Sequence, residues 1–223
     1  KSNQELWRQA EESKRLNAAF SHDLRNPITV LKGTVKLLRQ GTADEQAIDR
    51  LENYTLRIEQ YVEAMSSIQR LGQMPVRISE CSYSLLHSEL EETAKIFAGA
   101  LELSVSTPDK GTILLDHGMV LTVAENLIGN AARFAKSKIT ILVEQKRNFL
   151  HLSVTDDGPG YPVELIQSGP KPFGKMKEDS AHFGMGLYSS QTLCQKHGGT
   201  LALGNRQGYG TTTIASFQIN LKS

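Results

Sequence analysis

Two heptad-spaced runs, separated by a short break, dominate the first third of the chain and limit what it can fold into. In the first, apolar or small residues recur at Leu6, Ala10, Ser13, Asn17, Phe20 and Leu24 with alternating steps of four and three, the seam of a helix that packs on another helix. In the second, the seam is Ala47, Leu51, Tyr54, Ile58, Tyr61, Met65 and Ile68. Between them, Gly41-Thr42-Ala43-Asp44 offers a glycine to end one helix and an aspartate to cap the next. The spacing predicts one helix over residues 1 to about 40 and a second that stops before Leu71-Gly72-Gln73-Met74-Pro75, joined as an antiparallel hairpin. A lone hairpin gives each seam too little partner surface, so this one is expected to dimerise into a four-helix bundle. Packing of the hairpin on the rest of the chain is the other way to cover it.

His22 lies off the first seam. At about 100° per residue, a position two removed from both Phe20 and Leu24 points away from the buried stripe, so His22 is expected to be exposed. Asn26 shares its face one turn along and Asp23 lies beside it, giving an imidazole, a carboxylate able to take its proton and an amide able to orient water. Read alone, these three are equally well a solvated helix face. Pro27 argues for more, because a proline inside a helix costs about 3 kcal/mol and kinks it. The apolar spacing also changes there, resuming one residue late at Ile28, Leu31, Val35 and Leu38, so a helix built to bend at a working site is expected.

Composition removes several classes of function. A net charge of +1 gives no electrostatic case for nucleic-acid binding. No apolar run approaches the roughly 20 residues of a membrane span, and the charged, polar start is not a signal peptide. Cys81 and Cys194 are far apart and without metal-ligand spacing, as expected of two reduced thiols. A chain that opens in mid-helix is expected to be a fragment of something longer.

After a linker over residues 72–81, the pattern becomes that of an α+β sandwich, with helices on one face of a mixed sheet. Helices are expected over about 83–99, 117–135 and 186–197, and strands near 101–106, 112–115, 138–144, 149–155, 200–205 and 211–221. Four pieces of this region carry chemistry. In the second of these helices Asn126, Asn130 and Arg133 fall on one stripe, opposite an apolar stripe of Val120, Val123, Leu127 and Ala131. Amide oxygens suit Mg²⁺ and an arginine suits phosphate, although an exposed polar face reads the same way. Asp156-Asp157-Gly158-Pro159-Gly160 follows a period-2 strand, where a carboxylate could accept an amino group such as that of adenine; a plain β-turn is the alternative. Gly184-Met185-Gly186-Leu187 opens a helix whose free amides attract phosphate, and Gly208-Tyr209-Gly210-Thr211 leads into a strand, where a hairpin is the alternative.

The order and spacing of these pieces are more specific than any one of them. Phe20-Ser21-His22-Asp23-Leu24-Arg25-Asn26-Pro27-Ile28 resembles the phosphoacceptor box of the sensor histidine kinases of bacterial two-component systems. The run from Glu125 to Phe134 and the three glycine segments resemble the N box and glycine boxes of their catalytic domain, a fold shared with gyrase and mismatch-repair ATPases. The resemblance implies a dimerisation and histidine phosphotransfer hairpin over 1–71, a linker, and a catalytic ATP-binding domain over 82–223. It implies phosphorylation of His22 by ATP, with Asp23 as base or tautomer holder, followed by transfer to an aspartate of a response regulator. Asn26 would serve a phosphatase activity. It implies that Asn130, helped by Asn126, coordinates Mg²⁺, that Arg133 contacts phosphate and that Phe134 borders the nucleotide. Asp156 would read adenine with Gly158 and Gly160 shaping its loop; Gly184, Gly186 and Leu187 would lie near the phosphates and Thr211 near adenine. The segment from Tyr161 to Phe183, anchored by Phe173, corresponds to the lid over ATP. The implied partners are a second copy through the hairpin and a cognate regulator, and the implied location is the cytoplasmic part of a membrane sensor whose anchor lies upstream. Where the family often places a small polar residue and proline after Arg133-Phe134, this chain has Ala135-Lys136-Ser137. An ATP-driven clamp using Glu125, or a dimerising scaffold without catalysis, are the rival readings.

Overall fold

The computed structural model describes residues 3–171, 185–206 and 210–219. The fold divides into a helical hairpin, up to Arg70, and an α+β unit that begins at Leu71.

The hairpin consists of α1 (Asn3–Arg39) and α2 (Ala47–Gln73). Gly41, at φ +66°, ends α1 in the left-handed conformation that glycine adopts without a Cβ penalty, while the Thr42 N–H reaches back to the Leu37 carbonyl at 3.1 Å. Asp44 starts α2: its carboxylate accepts the Gln46 N–H at 3.2 Å and both terminal nitrogens of Arg50 at 2.7 and 3.0 Å. The α2 seam is as expected, with Ala47, Tyr61, Met65 and Ile68 buried and Leu51, Tyr54 and Ile58 half-buried.

The α1 seam differs from the expectation. Burial runs through Phe20, Leu24, Pro27, Leu31 and Thr34, an unbroken heptad, whereas Ile28, Val35 and Leu38 are exposed. The phase therefore does not change at Pro27. A proline ring is apolar and fills a seam position, and Thr34 does the same because its hydroxyl bonds back to the Val30 carbonyl at 2.9 Å, leaving its methyl to pack. Counting apolar letters missed both.

In the second unit, a five-stranded sheet runs in the order β2-β4-β5-β7-β6, formed by β2 (Glu102–Ser106), β4 (Lys138–Lys146), β5 (Phe149–Asp156), β6 (Leu201–Asn205) and β7 (Thr211–Gln218). Only β2 and β4 are parallel. A two-stranded ribbon pairs β1 (Ser79–Ser82) with β3 (Thr112–Leu115). Residues 79–81, assigned to the linker from sequence, thus belong to a strand; a stretch of four with one buried side chain, Cys81, carries no readable period. Helices α3 (Tyr83–Ala98), α4 (His117–Phe134) and α6 (Met185–Lys196) join one sheet face in a single apolar core, and α5 (Val163–Ser168) is a short helix within the segment assigned to the lid.

The core positions α4. Val120, Val123, Leu127 and Ala131 are buried as the spacing predicts, each large side chain contributing about 1.5–3 kcal/mol. Asp116 caps α4 through the Met119 N–H at 3.0 Å, holds the Arg77 N–H at 2.6 Å, and donates its own N–H to His197 Nε2 at 2.7 Å. Within the α+β unit, the Lys196 ammonium donates to the carbonyls of Leu71, Gly72 and Met74 at 2.8, 2.8 and 2.6 Å.

Candidate functional site

On the hairpin, His22 is 82% exposed at the side chain and hydrogen-bonds through Nδ1 to Asp23 Oδ1 at 3.0 Å, so Nε2 is the ring nitrogen turned to solvent. Asp23 is 29% exposed, and its charge, after burial, helps to push the Tyr61 phenol of α2 upward in pKa. The carboxylate thus lies between the seam and the imidazole and can hold a proton on Nδ1, which leaves a lone pair on Nε2. Asn26 is exposed one turn along, and Pro27 is buried directly after it.

In the second unit, the inward alternation of β5 through Leu150, Leu152 and Val154 continues to Asp156, which is 4% exposed at the strand's end. Its Oδ1 accepts the Gly158 N–H at 2.8 Å and its Oδ2 accepts the Thr211 hydroxyl. A carboxylate has about four acceptor positions, so two bonds leave room for a ligand N–H. Thr211 and Thr213 stand on the same inward face of β7, both buried. The backbone is tight around this carboxylate. A Cβ at Gly158 would stand 2.4 Å from the Phe134 carbonyl oxygen, and one at Gly210 would stand 2.0 Å from the Asp156 carbonyl oxygen. Only glycine fits either place.

The α4 stripe borders the same region. Asn126 and Asn130 are half-buried, and Gly186, at the start of α6, turns its open side to Asn126, where a Cβ would lie 3.5 Å from the amide oxygen. Arg133 is exposed and stacks its guanidinium over Phe134 at 5.7 Å. Leu187 is buried beside the core. Gly160 is held at φ +92° against Asn205. The unusual route after Phe134 has a physical basis in Asp157, whose carboxylate accepts the Lys136, Ser137 and Lys138 N–H groups at 2.8, 3.0 and 3.2 Å together with the Ser137 hydroxyl at 2.5 Å. The Ser137 hydroxyl, then these amides, hold the carboxyl well below the usual range.

The structure therefore brings Asn126, Asn130, Asp156, Gly158, Gly160, Gly186 and Thr211 to one end of the α+β unit. Gly184, Gly208, Tyr209, Phe173 and Phe183 lie outside the described residues. Tyr161, assigned to the lid, belongs instead to the buried framework: it is 7% exposed and its hydroxyl meets Asn130 and Thr213. Sequence reasoning passed over Thr213 and Asn205 and gave Asp157 no role of its own; the one available signal was a pair of threonines two apart facing inward on β7. Among the described residues no three His, Cys, Asp or Glu side chains form a metal cluster, and no helix is long and apolar enough to cross a membrane.

Residues 116–222 match the family described as histidine kinase-, DNA gyrase B-, and HSP90-like ATPase, and residues 12–73 match the His Kinase A (phospho-acceptor) domain. The sensor histidine kinase CpxA of Escherichia coli is 28% identical over 202 residues, covering 87% of this chain and 44% of that protein. CssS of Bacillus subtilis, also a sensor histidine kinase, is 24% identical over 219 residues, covering 95% and 48%. The chain thus spans less than half the length of these relatives. Among solved structures, histidine kinase ThkA in complex with response regulator protein TrrA superposes with a TM-score of 0.66 at 20% identity, over 96% of this chain and 65% of that one. The histidine kinase AdeS of Acinetobacter baumannii superposes at 0.58 with 23% identity, over 90% and 98%. With a phospho-acceptor domain followed by an ATPase-type domain in the same chain, this protein belongs to the sensor histidine kinases of two-component systems.

Proposed function

We propose that the chain transfers the γ-phosphoryl group of ATP to Nε2 of His22 and passes it on to an aspartate of a response regulator. The observation that carries this reading is the His22–Asp23 pair, an exposed imidazole whose Nδ1 is engaged by a carboxylate at 3.0 Å. With the proton held on Nδ1, the Nε2 lone pair attacks the γ-phosphorus as its bond to the bridging oxygen breaks and ADP leaves, and Asp23 stabilises the positive charge the ring gains, assistance typically worth about 10² to 10⁴ in rate. The Asp156 carboxylate, backed by Thr211 and Gly158, would accept the adenine amino group. Arg133, at the exposed end of α4, would meet phosphate oxygens.

The donor set fits Mg²⁺. This ion takes one or two protein oxygens and completes its octahedron with water and substrate phosphates, and two amide oxygens one turn apart beside a side-chain-free Gly186 suit that need. Asn130 and Asn126 would hold it, and once bound it would neutralise charge on the transferring phosphoryl group. Exposed Ile28, Val35, Leu38, Leu56 and Val62 on the hairpin support a homodimer that covers them. Asn26, exposed one turn from His22, is suited to orient water against a phosphorylated regulator, which supports a phosphatase activity. In such a sensor the hairpin and the α+β unit would form the cytoplasmic part.

The test is incubation of the whole chain with Mg²⁺ and γ-labelled ATP, beside His22→Gln and Asn130→Ala. Acid-labile label on the native chain, lost in both variants, is expected. Label that persists in His22→Gln removes the phosphoacceptor assignment, and binding of ATP without any label returns the clamp or the scaffold.

A further inference from the structure

Tyr161 is fixed more firmly than a loop residue needs to be. Its N–H donates to Asn205 Oδ1 at 2.7 Å and its carbonyl accepts from Asn205 Nδ2 at 2.9 Å, so one side-chain amide clasps its backbone as a neighbouring strand would. Its ring is buried, and its hydroxyl stands 2.7 Å from Thr213 Oγ1 and 3.1 Å from Asn130 Nδ2, with Thr211 beside it as well.

The direction of the hydrogen bonds in this chain is set at its far end. The Asp156 carboxylate accepts the Thr211 hydroxyl, so the Thr211 oxygen is left to accept in turn. The phenol and Thr213 form a hydroxyl pair in which either can donate, and a phenol proton directed to the β7 threonines is the arrangement that matches Asn130 Nδ2 donating to the phenol oxygen. What the phenol offers on its other side is a lone pair. An asparagine amide has one oxygen and one NH₂ group, and only the NH₂ can meet a lone pair. Asn130 must then present its nitrogen to Tyr161 and its oxygen in the opposite direction.

We propose that Tyr161 is the positioning residue of Asn130, selecting the amide orientation in which the carbonyl oxygen faces the metal-bearing phosphates, and so linking the adenine-reading carboxylate to the metal-binding amide through one hydrogen-bonded chain. The inference rests on the reading of Asn130 as a metal ligand.

The experiment measures equilibrium affinity of the whole chain for a fluorescent ATP analogue, with Mg²⁺ and in excess chelator, for the native protein, Asn130→Ala, Tyr161→Phe, and Tyr161→Phe combined with Asn130→Asp. Tyr161→Phe is expected to lower the Mg²⁺-dependent gain in affinity about five-fold, the size of one neutral hydrogen bond, with chelator affinity unchanged. Asn130→Asp is expected to restore the gain on that background, because a carboxylate presents oxygen whichever way it turns. A purely structural role for the phenol would lower both affinities and would not be rescued. If Asn130→Ala keeps the full gain, the metal-ligand reading itself falls; if Asn130→Ala loses it while Tyr161→Phe matches the native protein, only the positioning role falls. Should thermal melting show that Tyr161→Phe is not folded, Thr213→Val leaves the phenol and removes an acceptor of its proton, and native-like Mg²⁺ dependence in that variant overturns the proposal.

Discussion

Adding one methyl group at Gly158 tests the packing at the nucleotide end of the α+β unit. The new Cβ would stand 2.4 Å from the Phe134 carbonyl oxygen, 3.0 Å from its carbon and 2.8 Å from Asp156 Oδ1. Two of these obstacles are backbone, and that backbone is itself pinned, since Asp157 grips the three amides that follow α4. Moving the Asp156 carboxylate would leave both backbone contacts in place. Overpacking of this kind costs about 1–3 kcal/mol, and the immobile neighbours place Gly158→Ala at the upper end. That corresponds to about 5- to 150-fold faster exchange of amides that open only with the whole unit. Native-state hydrogen exchange of β5 and β7 amides such as Leu152, Val154 and Ala215 is the suitable assay. The single tryptophan, Trp7, lies in α1, so intrinsic fluorescence would report the hairpin instead. Gly118→Ala is the control: its Cβ meets nothing nearer than 3.6 Å and a helical alanine gains about 0.5–1 kcal/mol over glycine. Protection in Gly158→Ala equal to native, or equal to Gly118→Ala, would refute the argument.

Other outcomes follow from single contacts. Asp157 has a folded pKa below its unfolded value, so its contribution is complete above the usual carboxylate pKa of about 4 and fades as pH falls from there toward the depressed folded value. Asp157→Asn should therefore melt below the native chain at pH 7, with the gap closing under about pH 4; a gap independent of pH would remove the charge from the explanation. Asp23→Asn should slow labelling of His22 by about 10² to 10⁴ while nucleotide affinity stays native, and a native rate would show that Nδ1 needs no carboxylate. Burial pushes the Cys194 thiol up to about 12 and that of Cys81 upward too, so neither should react with a thiol reagent at neutral pH until denaturant is added.

Much of the fold was legible because its elements are long and periodic. The α2 seam, the apolar stripe of α4 and the inward alternation of β5 are each repeated enough to fix a face, and the exposure of His22 followed from its distance to Phe20 and Leu24. What was not legible depends on contacts distant in sequence. Ser79–Ser82 becomes a strand only because Thr112–Leu115 lies beside it. Asp157 looks like a turn residue until Lys136, Ser137 and Lys138 are folded against it. Tyr161 stands next to a glycine turn and reads as the start of a loop; its role needs Asn130, Asn205 and Thr213, which are far apart in the chain. At Pro27 the spacing misled, because proline and threonine were not counted as seam residues.

Pro27 also has a mechanical consequence. Lacking an N–H, it leaves the Asp23 carbonyl without its usual helical partner, so the rod of α1 is missing a stitch in the turn that carries His22. A rod under torque yields at its most compliant point. Twist applied at the amino-terminal end of α1 is therefore expected to concentrate in that turn instead of spreading along the helix. Pro27→Ala restores the stitch, and the backbone N–H gained at that position should be among the slowly exchanging amides of α1; rapid exchange there would mean that the turn is soft for some other reason.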